Sequence, residues 1–529
     1  MNDRLSAPWG GVLTNRWGRM ALALLAGAGA ALAHPPFGIL PGLLGYPLLM
    51  LLAERSRTAR GGFWVGWLAG FAYFFIGCWW VAEAFLVNKD QAWMAPFAAS
   101  LLPMGLGLFF GTATALYRRF APRGAVRRVL LFAALFALLE WLRGHVLTGF
   151  PWNPAGAAWQ AGSAMSQFAS VAGVYGLGLV TLAAVSALGL LVGTGARRSR
   201  MIAAGAGVAV LAGLFAFGTL RLSSAKRVDG PTVVRLVQAD IPQESKWSPE
   251  AYQAIVDRYV AMTAQPGAAV PDVVVWPEGA LPATANDVFN SPDAQAVAGA
   301  LQTGQTLLMG ISRGEADPTA EGGARYYNSL FALNDEGAAG LRIGAIYDKH
   351  RLVPFGEYLP LGRLMSRIGV RSLVHVPADF SAGPRPAPIS LVNAPSVQPL
   401  ICYESLYPGF TPASGAARPA WIVNVSNDAW FGATSGPRQH LNLASYRAIE
   451  TGLPIARATP TGVSAMIDPW GRIVDGKRLD PGQAGVIDVR LPEPAAPTLY
   501  GRWGDGFLGL LLALTLAGGL SWKRRGKRA

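Results

Sequence analysis

Cysteine is almost missing from this 529-residue chain, which has two, Cys78 and Cys402. Two thiols rule out a disulfide framework and a cysteine-rich zinc site. A bridge between the pair is not expected either, because Cys78 falls in an apolar run and Cys402 in a polar stretch. Charge is scarce too: 14% of residues are charged against 52% hydrophobic, which excludes a single water-soluble globule and fits a membrane protein with a soluble module. A P-loop, a dinucleotide fingerprint, zinc spacing and a calcium loop are all absent, so no cofactor and no metal is expected. The net charge of +14 is not a nucleic-acid footprint, because the basic residues sit in short patches beside apolar runs. No nucleic-acid partner is expected.

What is present begins with eight apolar runs that read as membrane spans: 20–34, 37–53, 63–83, 92–117, 129–147, 165–193, 201–219 and 505–521. The first two are short and meet at His34-Pro35-Pro36. Basic residues orient the set. Arg16 and Arg19 precede the first run, Arg55, Arg57 and Arg60 follow the second, and Arg118, Arg119, Arg123, Arg127 and Arg128 follow the fourth. Arg197, Arg198 and Arg200 follow the sixth, and Lys523, Arg524, Arg525, Lys527 and Arg528 close the chain. With eight spans every cluster falls on one side, which puts both termini in the cytoplasm and 222–503 outside it. The expected organisation is seven helices in 1–221, an extracytoplasmic domain at 222–503, and an eighth helix with a basic tail at 504–529. The first run is read as a retained anchor, not a cleaved signal. Within the spans, Glu140 and Arg143 lie one helical turn apart and read as a structural ion pair.

In the polar stretch, strand patterns alternate with helical ones. Strands are expected at 232–239, 272–276, 306–312, 327–333, 342–347, 398–402, 420–426, 454–459, 462–468 and 485–490, and helices at 249–264, 294–303 and 438–451. The run DPWGRIVDG at 468–476 reads as a hairpin turn. Strands with covering helices predict a layered α/β domain.

Three strand ends carry polar groups. Glu278 follows DVVVWP, Lys349 follows GAIYD, and Cys402 follows PLI. A thiol near neutral pH needs a base for its proton and a positive group for developing oxyanion charge. Glu278 is the candidate base, Lys349 the candidate oxyanion partner, and Cys402 the nucleophile. Glu357 and Glu404 are candidates to orient the lysine or hold its proton. His350 and His440 offer an alternative Cys–His pairing, although His440 has no orienting partner evident in sequence. Each residue has a plainer reading when taken singly: a core thiol, a turn carboxylate, a solvated ammonium. Trp247 and Tyr403 could cover a core edge or touch substrate. Asn424, Asn427 and Asp428 read as turn formers rather than catalysts.

Taken together, VVVWPEGALP, YDKHRLVPFGEYLP and LICYESLYP resemble the three catalytic segments of the carbon–nitrogen hydrolase (nitrilase) superfamily. The membrane flanks, QADIPQESKW, NVSNDAWFG and the turn GFPWNPAG narrow the resemblance to its apolipoprotein N-acyltransferase branch. That resemblance implies a nitrilase-like αββα sandwich inserted between transmembrane helices 7 and 8. It implies Glu278, Lys349 and Cys402 as the triad, Glu357 and Glu404 in support, and Trp247 and Tyr403 near substrate. It also implies a phospholipid acyl donor, an S-diacylglyceryl apolipoprotein acceptor and a bacterial inner-membrane location with the catalytic domain in the periplasm. A monomer is expected. Apolar loop sequence at 355–365 and 429–432 would form a lipid-facing mouth. Two other classes stay open on the residues alone: a tethered amidase in which water resolves the thioester, and a transporter with an exterior binding domain.

Overall fold

The computed structural model describes residues 15–120, 122–193, 195–320, 323–360, 362 and 379–520. The basic tail at 523–528 and most of the 361–378 stretch, including part of the expected apolar mouth, lie outside the described residues. Contacts divide the chain into two units. One runs to Trp79, resumes over Pro96–Ser223 and returns at Trp503; the other comprises Trp80–Ala95 and Ser224–Arg502.

The first unit is helical. Its helices are α1 (Arg16–Leu32), α2 (Gly45–Glu54), α3 (Ala59–Cys78), α4 (Ala95–Phe120), α5 (Ala125–His145), α6 (Ala169–Gly189) and α7 (Arg197–Ser223), followed by a last helix at Gly506–Leu520. Each coincides with one of the apolar runs. Several extend a turn beyond the run at the basic end, because arginine is a good helix former and its long stem reaches water from there. Four helical stretches among the described residues are long and apolar enough to cross a membrane, and Leu40–Glu54 and Gly506–Leu520 are shorter apolar helices. Small residues let backbones touch: a Cβ on Gly27 would collide with the Ala69 carbonyl, and one on Gly156 with the Val174 carbonyl.

The basic ends of this unit converge. Arg19 Nη2 donates to Ser56 Oγ at 2.9 Å, Arg118 Nη2 to Arg57 O at 3.4 Å, and Arg128 Nε to Glu54 Oε1 at 2.6 Å. The expected Glu140–Arg143 pair is instead spent on backbone. Glu140 Oε1 accepts from Ala155 N at 3.0 Å, and Arg143 Nη1 donates to Trp152 O at 2.9 Å. The turn at 150–155 has polar backbone groups that the surrounding helices cannot satisfy, and these two side chains supply the missing partners.

The second unit holds two sheets. Strands β1 (Asp229–Gln238), β2 (Val273–Trp276), β3 (Thr306–Ala316), β4 (Ala324–Asp335), β5 (Leu341–Asp348) and β11 (Gly485–Pro492) form one in the order β11-β1-β2-β3-β4-β5. Strands β6 (Val397–Ile401), β7 (Trp421–Val425), β8 (Ile455–Ala458), β9 (Ser464–Ile467) and β10 (Ile473–Leu479) form the other in the order β10-β9-β8-β7-β6. Strands β1, β2 and β3 run parallel, as do β6, β7 and β8.

Alternation decides the layers. In β2, Val273 and Val275 face the other sheet, whereas Val274 and Trp276 pack under α8 (Pro249–Ala264) and α9 (Asp293–Ala300). On the far side, Ile422 and Ile455 pack with Ala448 of α10 (Gly436–Thr451). The result is an αββα sandwich, with each buried Val or Ile contributing about 1.5–3 kcal/mol. Strand β10 was not expected. Its residues are mostly exposed and lack apolar alternation, and its first half overlaps the 468–476 run that reads in sequence as a hairpin turn.

Candidate active site

The parallel strands aim their C-terminal ends at one place. Glu278 lies two residues past β2, Lys349 directly past β5, Cys402 directly past β6, and Asn427 two residues past β7. Sites form at such ends because the strands terminate there together and leave backbone and side-chain groups free to converge.

Lys349 Nζ lies 3.2 Å from Glu278 Oε1 and 2.9 Å from Glu357 Oε1. Asn328, in β4, ties the two carboxylates together: its Nδ2 donates to Glu278 Oε1 at 2.7 Å and to Glu357 Oε1 at 2.8 Å. The second oxygen of Glu278 accepts from Asn427 N at 2.6 Å, and the second oxygen of Glu357 from Val353 N at 2.8 Å. Lys349 is 1% exposed and Glu278 7%. A buried cation between two carboxylates, each fully hydrogen-bonded, is the arrangement in which buried charge is tolerable.

Protonation follows from these contacts. Burial works to raise the Glu278 carboxyl, but the Lys349 ammonium, Asn328, the Asn427 N–H and the Cys402 thiol together hold it below the ordinary carboxylate range. Burial opposes the Lys349 charge, yet Glu278 and Glu357 keep it well above the usual lysine value. The Cys402 thiol is pushed up by burial and by Glu278, against the pull of Lys349. At rest the trio is therefore carboxylate, ammonium and neutral thiol, with the thiol hydrogen-bonded to the carboxylate.

Cys402 has φ +52°, the left-handed region that non-glycine residues rarely adopt. Strain of this kind costs roughly 1–3 kcal/mol. The half-buried cysteine opens a short 3-10 turn, Cys402–Leu406, so that the chain reverses at the strand end and presents the thiol there.

Glu404 sits elsewhere in the scheme than its sequence position implied. Its Oε1 accepts from Tyr347 OH at 2.7 Å, His350 N at 2.8 Å and Arg351 N at 3.0 Å, and its Oε2 from Ile401 N at 2.8 Å. It thus pins the backbone just after Lys349 and just before Cys402, joining the two sheets, rather than gripping the lysine ammonium. Burial raises its carboxyl in spite of these donors.

Trp247 is 62% exposed, directly after the Gln243–Lys246 turn. Tyr403 is buried, with its ring edge-on to Tyr407 at 5.2 Å. Phe355 and Trp430 are exposed large side chains of the two apolar loops. His350 Nδ1 turns to Gly383 O at 2.9 Å. His440 has an orienting partner after all: Nδ1 lies 2.9 Å from Asp428 Oδ1. Its other nitrogen faces the Cys402 carbonyl at 3.3 Å.

Sequence reasoning missed Asn328, the Asn427 N–H and Lys246. Lys246 is 1% exposed and donates to Gly279 O beside Glu278; burial lowers it to about 8, opposed by Glu278. A usable signal exists for Asn328, an amide side chain at the polar start of the strand run 327–333. None exists for a backbone N–H.

Segment Trp80–Ala95 completes this unit. Trp80 Nε1 donates to Gln439 Oε1 at 3.1 Å, and its ring meets Phe431 at 4.5 Å between centroids.

Residues 26–188 match the model of the apolipoprotein N-acyltransferase N-terminal domain, and residues 233–496 match that of the carbon–nitrogen hydrolase domain. An apolipoprotein N-acyltransferase of Caulobacter vibrioides is 53% identical, over 94% of this chain and 93% of its own. One from Rhodopseudomonas palustris is 40% identical, over 96% and 95%. Among solved structures, an amidase of the nitrilase superfamily from Nesterenkonia aligns with 54% of this chain and 97% of its own, at 17% identity and a TM-score of 0.36.

Proposed function

We propose a mechanism from one premise: this chain belongs to the apolipoprotein N-acyltransferase family. It moves a fatty acyl chain from a phospholipid, through a thioester on Cys402, to the α-amine of the N-terminal S-diacylglyceryl cysteine of a bacterial apolipoprotein. The observation that carries this reading over a plain amidase is the pairing of the two family matches, a helical domain at 26–188 and a hydrolase domain at 233–496, in one chain.

In the first half-reaction Glu278 takes the thiol proton as Cys402 sulfur attacks the ester carbonyl. Coupling these events suits a thiol that is neutral at rest. Lys349, with backbone N–H groups of the Cys402 turn, stabilises the oxyanion. Collapse breaks the ester C–O bond, and the leaving lysophospholipid alkoxide takes the proton from Glu278. In the second half the lipoprotein amine attacks the thioester, Glu278 removes an N–H proton, and the C–S bond breaks with return of that proton to sulfur. An acceptor that arrives as ammonium releases one further proton to solvent. Glu357 holds the lysine charge, and Glu404 holds the backbone on both sides of the site. Trp247 and Tyr403 contact substrate or shape its entrance.

Both substrates carry acyl chains in one leaflet, and moving them into water would cost about 0.8 kcal/mol per CH₂. That cost supports an active site that meets the bilayer, with Phe355 and Trp430 at its apolar mouth. The protein resides in the bacterial inner membrane, with the catalytic domain at 222–503 in the periplasm and the helical parts at 1–221 and 504–529. The convergence of Arg19, Arg118 and Arg128 on Glu54–Arg57 supports a cytoplasmic basic end. A monomer suffices, because the triad comes from one chain.

The test is intact-protein mass spectrometry of the detergent-purified chain with phosphatidylethanolamine of defined acyl composition. One acyl mass added to the native chain, absent from Cys402→Ala and discharged onto the amine of a diacylglyceryl-cysteine peptide, is the expected result. Discharge to free fatty acid with the peptide left unmodified would refute acyl transfer and favour the amidase.

A further inference from the structure

Behind the nucleophile lies a buried polar chain that the mechanism above does not use. Arg457 Nη2 donates to Asp428 Oδ2 at 2.7 Å, and the other carboxylate oxygen faces His440 Nδ1 at 2.9 Å. His440 Nε2 then meets Ser405 Oγ at 3.1 Å and the Cys402 carbonyl at 3.3 Å, and Ser405 Oγ donates to that same carbonyl at 2.9 Å. Arg457, Asp428, His440 and Ser405 are each at most 1% exposed.

The order Asp428–His440–Ser405 has the connectivity of a Ser–His–Asp triad. It is not a second nucleophilic centre, because Ser405 is sealed and its hydroxyl is committed to Cys402. Its meeting point is the Cys402 carbonyl. In a left-handed residue the close approach that causes strain is between Cβ and the carbonyl oxygen that follows it, so rotating that peptide is the route by which the strain would relax. Whatever grips that carbonyl keeps φ at +52° and keeps the thiol directed at Glu278.

Helix α10 supplies the grip at both ends of the turn. His440 reaches Cys402 at its start, and Arg447, two helical turns further along the same face, donates from Nη1 to Leu406 O at 2.7 Å at its end. Asp428, held ionised by Arg457 against burial, accepts from Nδ1–H, and because Nε2 faces a carbonyl oxygen that nitrogen must donate as well, so the grip belongs to the doubly protonated ring, against the downward pull of burial and Arg457 on its pKa. An apolar residue at 440 would fill the same space without any of this.

The geometry points to His440, oriented by Asp428 and acting with Ser405, as a positioning residue that locks the Cys402 peptide in its strained, reactive conformation. This rests on the reading of Cys402 as the acyl-accepting nucleophile. His440 moves no proton to or from sulfur in this role; it holds the backbone that carries it.

The experiment compares His440→Phe, His440→Gln, Ser405→Ala and Cys402→Ala, each as the full chain in detergent, by the rate of acyl-enzyme formation across phosphatidylethanolamine concentrations. His440→Phe keeps the ring shape and loses both nitrogens. A thiol misplaced by even an ångström is expected to cost about 100-fold in kcat, with KM within roughly threefold of the native value. His440→Gln restores a polar group at the Nε2 position and is expected to recover the rate to within about tenfold, with Ser405→Ala lying between them at roughly a tenfold loss.

Native kcat in His440→Phe overturns the inference. So does His440→Gln no faster than His440→Phe, because the imidazole itself, and not its grip, would then be needed. Were His440→Phe not to fold, Ser405→Ala decides: an unchanged kcat overturns, a selective fall in kcat supports. Cys402→Ala separates the two levels, since acylation of that variant removes the nucleophile assignment, whereas its inertness leaves the variants at 440 and 405 to judge the grip alone.

Discussion

Removing the Lys349 ammonium while keeping its bulk, as in Lys349→Met, perturbs the site most informatively. In the native site its nitrogen stands 3.2 Å from Glu278 and 2.9 Å from Glu357, almost wholly out of water. At an effective dielectric constant near 20, a unit pair at 3.2 Å is worth about 5 kcal/mol, all of it favouring the ionised carboxylate. Without the cation, two buried carboxylates share only Asn328 between them. One of the pair must take up a proton as the pH approaches neutrality.

The sign is definite. Glu278 is depressed in the native protein, so its charge, and the stability and activity that depend on it, persist above the ordinary carboxylate range and fail only as pH falls through its lowered folded-state value. In Lys349→Met the acid limb of the acylation rate moves upward, because the cation that most lowers the Glu278 carboxyl is gone. The plateau falls as well, by on the order of 10²–10³ for the lost oxyanion partner. Single-turnover thioester formation, followed by intact mass from pH 4 to 9 in buffers of constant ionic strength, reads both effects. An acid limb that stays at its native position, whatever the plateau, would refute the claim that Lys349 sets the charge state of the base.

The other expectations concern separate parts of the site. Cys402→Ala forms no acyl-enzyme yet melts within a few degrees of the native chain in detergent, because the backbone strain is shared by Ala and only one half-buried sulfur with its hydrogen bond to Glu278 is lost. Asn328→Ala takes one donor from Glu278 and Glu357 together; we expect roughly 10–100-fold slower acylation with an upward drift of the acid limb, and an unaltered pH profile would count against the shared-donor argument. Glu404→Gln sets an amide N–H₂ against one of four donors and is expected to lower stability by about 1–3 kcal/mol in chemical denaturation, with a native-like midpoint ruling out its role as a backbone pin. Trp247→Ala, at an exposed position, should raise KM for the phospholipid severalfold and leave the saturated thioester rate within about threefold; a selective loss of kcat would place the tryptophan at the chemistry instead.

What the sequence could reveal tracks how each feature is encoded. The apolar runs and the alternation of Val273–Trp276 are one-dimensional patterns, and they located the helices and the layers of the sandwich. Lys349 and Glu357 stand within one short run, so their meeting was legible. Glu404 is legible as a residue but not as a contact, because its partners include backbone N–H groups of the loop that follows β5 in the other sheet, which no residue type announces. His440 shows no partner in the sequence, and the partner, Asp428, reads there as a turn former, which it also is. The link goes unseen because it crosses from a helix to the end of strand β7, and sequence spacing carries no trace of that approach. Strand β10 escaped because exposed strands lack the apolar alternation on which recognition depends.

The splitting of the catalytic unit, with Trp80–Ala95 contributed from within the helical part of the chain, imposes a schedule on biosynthesis. Trp80 reaches its hydrogen-bond partner Gln439 across 359 residues of sequence. At translation rates of roughly 5–20 residues per second, the tryptophan leaves the ribosome about 20–70 s before glutamine 439 exists. The Trp80–Gln439 hydrogen bond therefore forms only after residue 439 has been made, late in synthesis. A separately expressed 224–502 fragment would reach the same stage and stop there, with Phe431 and Gln439 lacking the tryptophan that completes them.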